Sequence, residues 1–157
     1  MPKEQRIAKI TLDERTVVRR NADIEHERAV AIFDLLEENS FAPVAGYDGP
    51  FHLDLGIEDG RLVLDIRGTD EASRERIILS LAPFRGIVKD YFLICESYFA
   101  AIKRASTMQI EAIDMGRRGL HDEGAELLRQ RLADRVDIDF ATARRLFTLI
   151  CVLHVRG

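Results

Sequence analysis

The feature that most constrains this chain is a pair of alternating segments joined by Asp59-Gly60. In residues 51–58 and 61–67 every second side chain is apolar, which is typical of strands that bury one face. Asp-Gly readily adopts the positive φ values of a type I′ turn, so the segments are predicted to form a tight antiparallel hairpin. Its polar face, which includes His52, is predicted to be solvated. The predicted buried positions are Phe51, Leu53, Leu55, Ile57, Leu62, Leu64 and Ile66.

Two other segments are predicted to join the same sheet. Residues 6–12 alternate in part, which indicates a first strand with Ala8, Ile10 and Leu12 facing inward. Residues 76–82 suit a strand or a helix, and their short length and two isoleucines favour a strand. Pro83 ends this run and suits the first turn of the next helix, where no amide hydrogen is needed.

Helical spacing dominates the remaining sequence. A helix capped by Asn21 or Asp23 is predicted to end near residue 40, and a long central helix is predicted over 84–104. From Thr107 the glycines favour two helices with a break at Gly119 and with Asp122 as the second cap, although one continuous helix also fits the spacing of residues 113, 120 and 127. Asp139 can cap a last helix. The predicted apolar faces are Ala29, Ile32, Phe33 and Leu36; Phe84, Ile87, Val88, Tyr91, Phe92, Cys95, Tyr98, Phe99 and Ile102; and Ala143, Leu146, Phe147, Ile150, Cys151 and Leu153.

These elements predict a single α+β domain over residues 1–157. Its fold would be a small antiparallel sheet, in the order β-α-β-β-β, followed by three to four helices packed on it. The length of 157 residues and a hydrophobic fraction of 46% suit one such core.

Composition points to the cytoplasm. The two cysteines, Cys95 and Cys151, lie in apolar helical patterns and are predicted to be buried free thiols, as expected in a reducing compartment. The first residues lack a signal-peptide pattern, and no stretch is long and apolar enough to predict a membrane span. A net charge of −4 argues against nucleic acid as a partner, because such binding relies on clustered Lys and Arg. A helix-turn-helix formed by the C-terminal arginines is a weaker alternative.

Residues 83–98 and 142–154, together with the turn Gly119-Leu-His-Asp-Glu-Gly124, resemble a family of short, functionally uncharacterised alphaproteobacterial proteins. The similarity covers nearly the whole chain. It implies a bacterial cytoplasmic origin, and it transfers no catalytic residue.

Two groups of polar residues are candidate ligand sites. On the central helix, Arg85, Lys89, Asp90, Glu96 and Tyr98 could hold an anion or a partner loop, and the alternative is a solvated face with ordinary ion pairs. In the predicted turn, Arg117, Arg118 and His121 could hold an anion beside a helix start, and the alternative is a helix cap with an exposed histidine.

No cofactor or metal is predicted. Cys151 and His154 are three residues apart, and Cys95 or His121 could approach them, but buried cysteines in an apolar helix usually serve packing. The common nucleotide-binding, hydrolase and metalloprotease motifs do not occur.

The first functional hypothesis is a small cytoplasmic interaction or regulatory protein that forms homodimers or other homo-oligomers, with an unknown protein partner as a further possibility. Phe41, Phe140 and Phe147 are predicted to be available for its interface. The second hypothesis is a small-ligand or anion-binding enzyme that uses the central helix. It would need a concave pocket in which the polar groups of that helix meet.

Overall fold

The computed structural model describes residues 4–14, 22–104 and 106–154. Their order confirms the predicted α+β class, with the four helices following or flanking a sheet as expected. Asn21, a predicted helix cap, lies outside the described residues. The elements are β1 (Ile7–Leu12), α1 (Ala22–Glu37), β2 (Phe41–Pro43), β3 (Phe51–Glu58), β4 (Arg61–Arg67), β5 (Ser73–Ser80), a 3-10 turn (Ala82–Phe84), α2 (Arg85–Arg104), α3 (Thr107–Leu132), β6 (Val136–Ile138) and α4 (Phe140–Leu153).

The main sheet has the strand order β1-β3-β4-β5. The hairpin prediction is confirmed: β3 and β4 pair antiparallel, and Asp59 and Gly60 have φ values of 52° and 72°. The ambiguous run is a strand, β5, which pairs antiparallel with β4. β1 pairs parallel with β3, so the sheet is mixed, with one parallel pairing beside the predicted antiparallel ones.

Strand β1 contains a register shift between Ile7 and Lys9. Ile7 and Ile10 are buried, Leu12 packs against the core, and Ala8 is exposed. The prediction that Ala8 faces inward was therefore wrong, because a bulge changes which positions share a face.

A second, two-stranded sheet joins distant parts of the chain, and sequence reasoning missed it. β2 pairs antiparallel with β6, with Phe41 opposite Ile138 and Pro43 opposite Val136. The amide of Ser40 also donates to Oγ1 of Thr142 at 3.0 Å. The sheet thus fixes the end of α1 beside the start of α4.

Helix α1 packs on α4 through a different face from the one predicted. Ile24, Ala31 and Leu35 are buried, whereas Ala29 is exposed and Phe33 is 64% exposed. Both faces of α1 carry apolar residues, so periodicity alone could not show which of them meets the core. The prediction that Ala29 and Phe33 face the core was therefore wrong.

Helix α2 buries most of its predicted stripe, with Val88, Tyr91 and Cys95 at its centre. Phe84 at its start is also fully buried, and Ile87, Phe92 and Phe99 pack at the edge of the core. The exception is Ile102, which is 51% exposed. The apolar stripe of α2 was thus predicted, but its central place was not: α4, rather than α2, packs against both α1 and α3.

Helix α3 is continuous, so the favoured break at Gly119 was wrong. It begins with a capping box between Ser106 and Gln109, and Asp122 lies inside it rather than at a cap. Two other glycines serve close packing: a Cβ at Gly116 would lie 2.5 Å from Cδ1 of Ile94, and a Cβ at Gly124 would lie 2.4 Å from Phe147. Contacts with α2 and α4 therefore offset the helix-weakening effect of glycine.

Helix α4 is the most buried element. Asp139 caps it as predicted, by accepting a hydrogen bond from the Thr142 amide at 2.8 Å. Phe147 is fully buried here, as is Phe41 in β2, so neither is available for an interface as predicted; Phe140 remains 37% exposed. The predicted core residues of this helix, Ala143, Leu146, Phe147, Ile150, Cys151 and Leu153, are all buried.

Candidate functional sites

A groove of about 670 Å³ lies between the start of α1, one side of α2 and the end of α4. We call it the α1–α2 groove. Its floor and inner walls are apolar, and its edges carry charge. The apolar lining consists of Ile24, Val88, Phe92, Cys95, Phe99 and Ala100, and the polar lining consists of Asp23, Arg85, Lys89, Glu96, Lys103 and His154.

Two rows of side chains on α2 form one wall of this groove. Val88, Phe92, Cys95 and Phe99 follow one another at three- and four-residue steps, which keeps them on one side of a helix. The adjacent outer row carries charge at seven-residue intervals. It consists of Lys89, Glu96 and Lys103.

The charged groups of the groove are not paired with each other. Among the described residues, Lys89, Glu96 and Lys103 form no ion pair within 4.0 Å. Arg85 reaches toward the β3–β4 turn, since a Cβ added at Gly60 would lie 3.6 Å from its Nη2 atom. Lys89 and Lys103 are therefore available to a ligand anion.

A second cavity of about 400 Å³ lies between α1, α3 and α4. We call it the arginine pocket. Most of its lining is polar, and Arg117 is paired there with two carboxylates. Its charged lining residues are Glu27, Asp34, Asp114, Arg117, Arg118, Arg144 and Arg145.

Arg117 is held from several sides. Its Nη1 atom donates to Oε1 of Glu27 at 2.8 Å, and its Nη2 atom donates to Oδ1 of Asp114 at 3.3 Å. Its guanidinium lies 4.5 Å from the ring centroid of Tyr98. Burial acts to lower the pKa of Arg117, but the surrounding groups, with Glu27 foremost and Asp114 among them, together outweigh it and the net pKa is raised. This pair therefore ties α3 to α1 at a largely buried position.

His121 forms the inner wall of the arginine pocket. Its ring stacks on Tyr91 with centroids 4.9 Å apart. Burial lowers the pKa of His121 to about 4, and the charges of Arg144 and Arg117 add to the effect, so the ring is neutral near pH 7. The prediction of an exposed histidine at a helix cap was wrong, because α3 continues and turns His121 inward.

The tautomer of His121 follows from its neighbour. The Thr148 hydroxyl donates to the carbonyl of Arg144 at 3.1 Å, so it uses its single proton there. Nε2 of His121 lies 3.3 Å from the same hydroxyl oxygen and therefore donates to it. The acceptor nitrogen of the neutral ring is then Nδ1.

The remaining arginines of this pocket differ in their pairing. Arg118 contacts Asp114 at 2.9 Å, and Nε of Arg144 lies 3.2 Å from Oδ1 of Asp122. The buried Nε atoms of Arg117 and Arg144 have no hydrogen-bond partner of good geometry. Most of the positive charge here is thus neutralised within the protein.

The predicted site residues therefore divide between two places. Arg85, Lys89 and Glu96 line the α1–α2 groove, while Tyr98, Arg117, Arg118 and His121 line the arginine pocket. Tyr98 is nine residues from Lys89, or two and a half helical turns, so it projects from the opposite side of α2. Asp90 is exposed and lines neither cavity. Sequence spacing could have shown this separation.

His52, expected to be a surface residue, is buried at 8% exposure. Its Nδ1 atom faces Oε2 of Glu71, and its Nε2 atom lies 3.0 Å from Oγ1 of Thr11. The hydrogen bond with His52 lowers the pKa of Glu71. The residue was missed because its partners come from a loop and from the parallel strand β1.

Helix α1 also presents an apolar surface to solvent, which we call the outer face of α1. Val30 is 43% exposed, Phe33 64% and Leu36 38%. Positions 30, 33 and 36 are three residues apart, so these side chains form one stripe. Within the described part of the chain, this stripe remains open to solvent.

Neither a metal cluster nor a membrane-spanning helix was found in the part of the chain that the structure describes. No three His, Cys, Asp or Glu side chains are grouped there to hold an ion, and none of its helices is both long and apolar enough to cross a bilayer. Cys95 and Cys151 are buried and free, as predicted.

Comparison with known proteins confirms the family resemblance. Residues 4–156 match the family described as "Uncharacterised protein family (UPF0262)". A UPF0262 protein of Paramagnetospirillum magneticum is 62% identical over 157 residues, covering 100% of both chains. One from Azorhizobium caulinodans is 59% identical, covering 99% of this chain and 98% of its own. No solved structure matches. The printed names of these relatives state no activity, and the chain belongs to the uncharacterised protein family UPF0262.

Proposed function

We propose that this protein is a cytoplasmic, single-domain interaction protein that self-associates through the outer face of α1. The observation that carries the proposal is the exposure of Phe33, Val30 and Leu36 on one side of a helix whose other side packs on α4. A large aromatic residue that is 64% exposed within an apolar stripe is typical of a surface that meets another protein.

The sequence of α1 suits a symmetric pair. When two copies of the helix lie antiparallel about a two-fold axis, Val30 of one copy comes opposite Phe33 of the other. The same arrangement places exposed His26 opposite exposed Glu37 at both ends of the stripe. The apolar centre would supply affinity, and the polar ends would fix the register.

Two buried free thiols, Cys95 and Cys151, support a reducing compartment such as the cytoplasm. The enzyme alternative has no comparable support, because its polar residues on α2 are divided between two cavities.

Sedimentation equilibrium of the purified chain tests the proposal. We expect wild-type protein to form a dimer, and Phe33→Glu to raise the dimer dissociation constant by about 30-fold or more, as for an interface hot spot. Burying an unpaired carboxylate in the apolar stripe gives the effect its sign.

Met115→Glu is the matched control. Met115 is 72% exposed and lies on α3 rather than on α1, so its substitution should leave the dissociation constant unchanged. A monomeric wild-type chain at high concentration would refute self-association. A dimer that persists in Phe33→Glu, or dissociates equally in Met115→Glu, would refute the assignment to α1.

A further inference from the structure

We propose that the α1–α2 groove binds a carboxylate that carries one long alkyl chain. The alkyl chain would lie along the apolar row of α2 that runs from Val88 to Phe99, and the carboxylate would lie at Lys89. The site is separate from the outer face of α1, so it does not depend on self-association.

The shape of the groove suits a long, narrow apolar body. The row from Val88 to Phe99 extends roughly 16 Å along the helix axis. Val88 and Cys95 form a buried floor at 2% exposure each, while Phe92 and Phe99 are only partly covered. With about 670 Å³, the groove lies within the size range of small-molecule sites and has their mainly apolar lining.

The charges of the groove select a monoanion. Its lining includes three cationic side chains and two carboxylates, which leaves one excess positive charge apart from His154. Arg85 and Lys89 are one turn apart on α2, and the groove-lining carboxylate of the same helix, Glu96, is seven residues, or roughly 10 Å, from Lys89 along the axis. A head group at Lys89 therefore meets more attraction than repulsion.

Pairing within the protein explains why the groove is the better ligand site. In the arginine pocket Glu27 and Asp114 already occupy Arg117, whereas Lys89 forms no ion pair with any residue that the structure describes. A ligand carboxylate at Lys89 replaces water rather than an internal partner. Its binding leaves the internal ion pairs intact.

Isothermal titration calorimetry with decanoate, decanol and decyltrimethylammonium, each below its micelle concentration, tests the site. We expect decanoate to bind the full-length protein with one-to-one stoichiometry, and the cationic amphiphile to bind more weakly than the neutral one. Lys89→Gln should weaken decanoate binding by about three- to tenfold and leave decanol binding unchanged.

Glu96→Gln is the matched control, since it removes one charge from the same row of the same helix. It should strengthen decanoate binding, in the opposite direction to Lys89→Gln. Phe92→Ala should weaken both decanoate and decanol, which locates the apolar body. Absence of saturable decanoate binding would overturn the proposal, as would binding that Lys89→Gln does not weaken. Preference for the cationic amphiphile would also overturn it.

Discussion

The α1–α2 groove and the arginine pocket lie on opposite sides of α2 and use charge in contrasting ways. In the arginine pocket, Arg117 is bound by Glu27 and Asp114 and lies against Tyr98. In the groove, Lys89 and Glu96 point outward without an ion pair to the described residues.

This difference separates charged side chains that stabilise the fold from charged side chains that remain available to bind a ligand. A guanidinium at 20% exposure with two carboxylate partners stabilises the contact between α1 and α3, and removing it leaves a poorly solvated carboxylate. An exposed lysine beside an apolar floor contributes little to the fold and can respond to a ligand. The contrast predicts unequal effects of similar substitutions.

The largest effect is expected for Arg117→Gln. It should lower the free energy of unfolding by about 2 to 3 kcal/mol, because Glu27, at 14% exposure, loses its charged partner. Urea unfolding followed by circular dichroism measures this in a chain without tryptophan. Arg118→Gln is the control: Arg118 is 70% exposed on the same helix and should cost less than about 0.5 kcal/mol. Equal losses of unfolding free energy in the two variants would show that the paired arginine contributes no more to stability than the exposed one.

A smaller effect is expected from the titration of His121. Its pKa is about 4 in the folded protein against an ordinary value of 6.5, so between these values the unfolded chain binds a proton that the folded protein does not. Stability is therefore fully present above pH 6.5 and falls as the pH drops toward 4. The loss from pH 7 to pH 5 should be about 2 kcal/mol.

His121→Gln isolates this contribution. The variant should lose most of the dependence of unfolding free energy on pH between 7 and 5, whatever its stability at pH 7. Carboxylates with lowered pKa values, such as Asp70, bind protons mainly at lower pH and do not interfere. A variant with the slope of the wild type would show that His121 is not the group responsible.

The smallest effect is expected for Lys89→Gln in the groove without ligand. The free energy of unfolding should change by less than about 0.5 kcal/mol, because the side chain is exposed and has no internal ion partner. Thermal or urea unfolding measures it. A cost approaching that of Arg117→Gln would mean that the groove charges stabilise the fold instead.

Local sequence signals predicted the parts of the fold that local chemistry decides. Asp59-Gly60 requires positive φ values, and Asp139 satisfies a helix amide, so the hairpin and the start of α4 were predicted correctly. Helix α2 also followed its periodicity, since one broad apolar stripe leaves a single orientation.

Tertiary contacts decided the features that were missed. The outer face of α1 and its buried face are both apolar, and only α4 determines which is covered. Gly116 and Gly124 permit close helix packing, so glycines that suggested a break mark contact points in one continuous helix. The pairing of β2 with β6 joins residues that no local pattern relates.

The candidate sites were predicted in part. The residue types were identified, and Arg85, Lys89 and Glu96 share one side of α2, but Tyr98 was grouped with them although it lies on the opposite side. The inward orientation of His121 depended on the continuity of α3, which sequence alone left undecided. Lys103, Phe92 and Phe99 complete the groove. Lys103 follows Lys89 by fourteen residues and Phe99 follows Phe92 by seven, and both intervals were visible in the sequence.

The β2–β6 sheet has a consequence for the order of folding events. Leu35 and Phe41, both fully buried, obtain much of their cover only once β6 and α4 have been synthesised and have docked. A chain emerging from the ribosome must therefore hold α1 without its main packing partner while the sheet and two long helices are made. During that interval both apolar faces of α1 are open to solvent, which exposes this helix to aggregation with other unfolded chains.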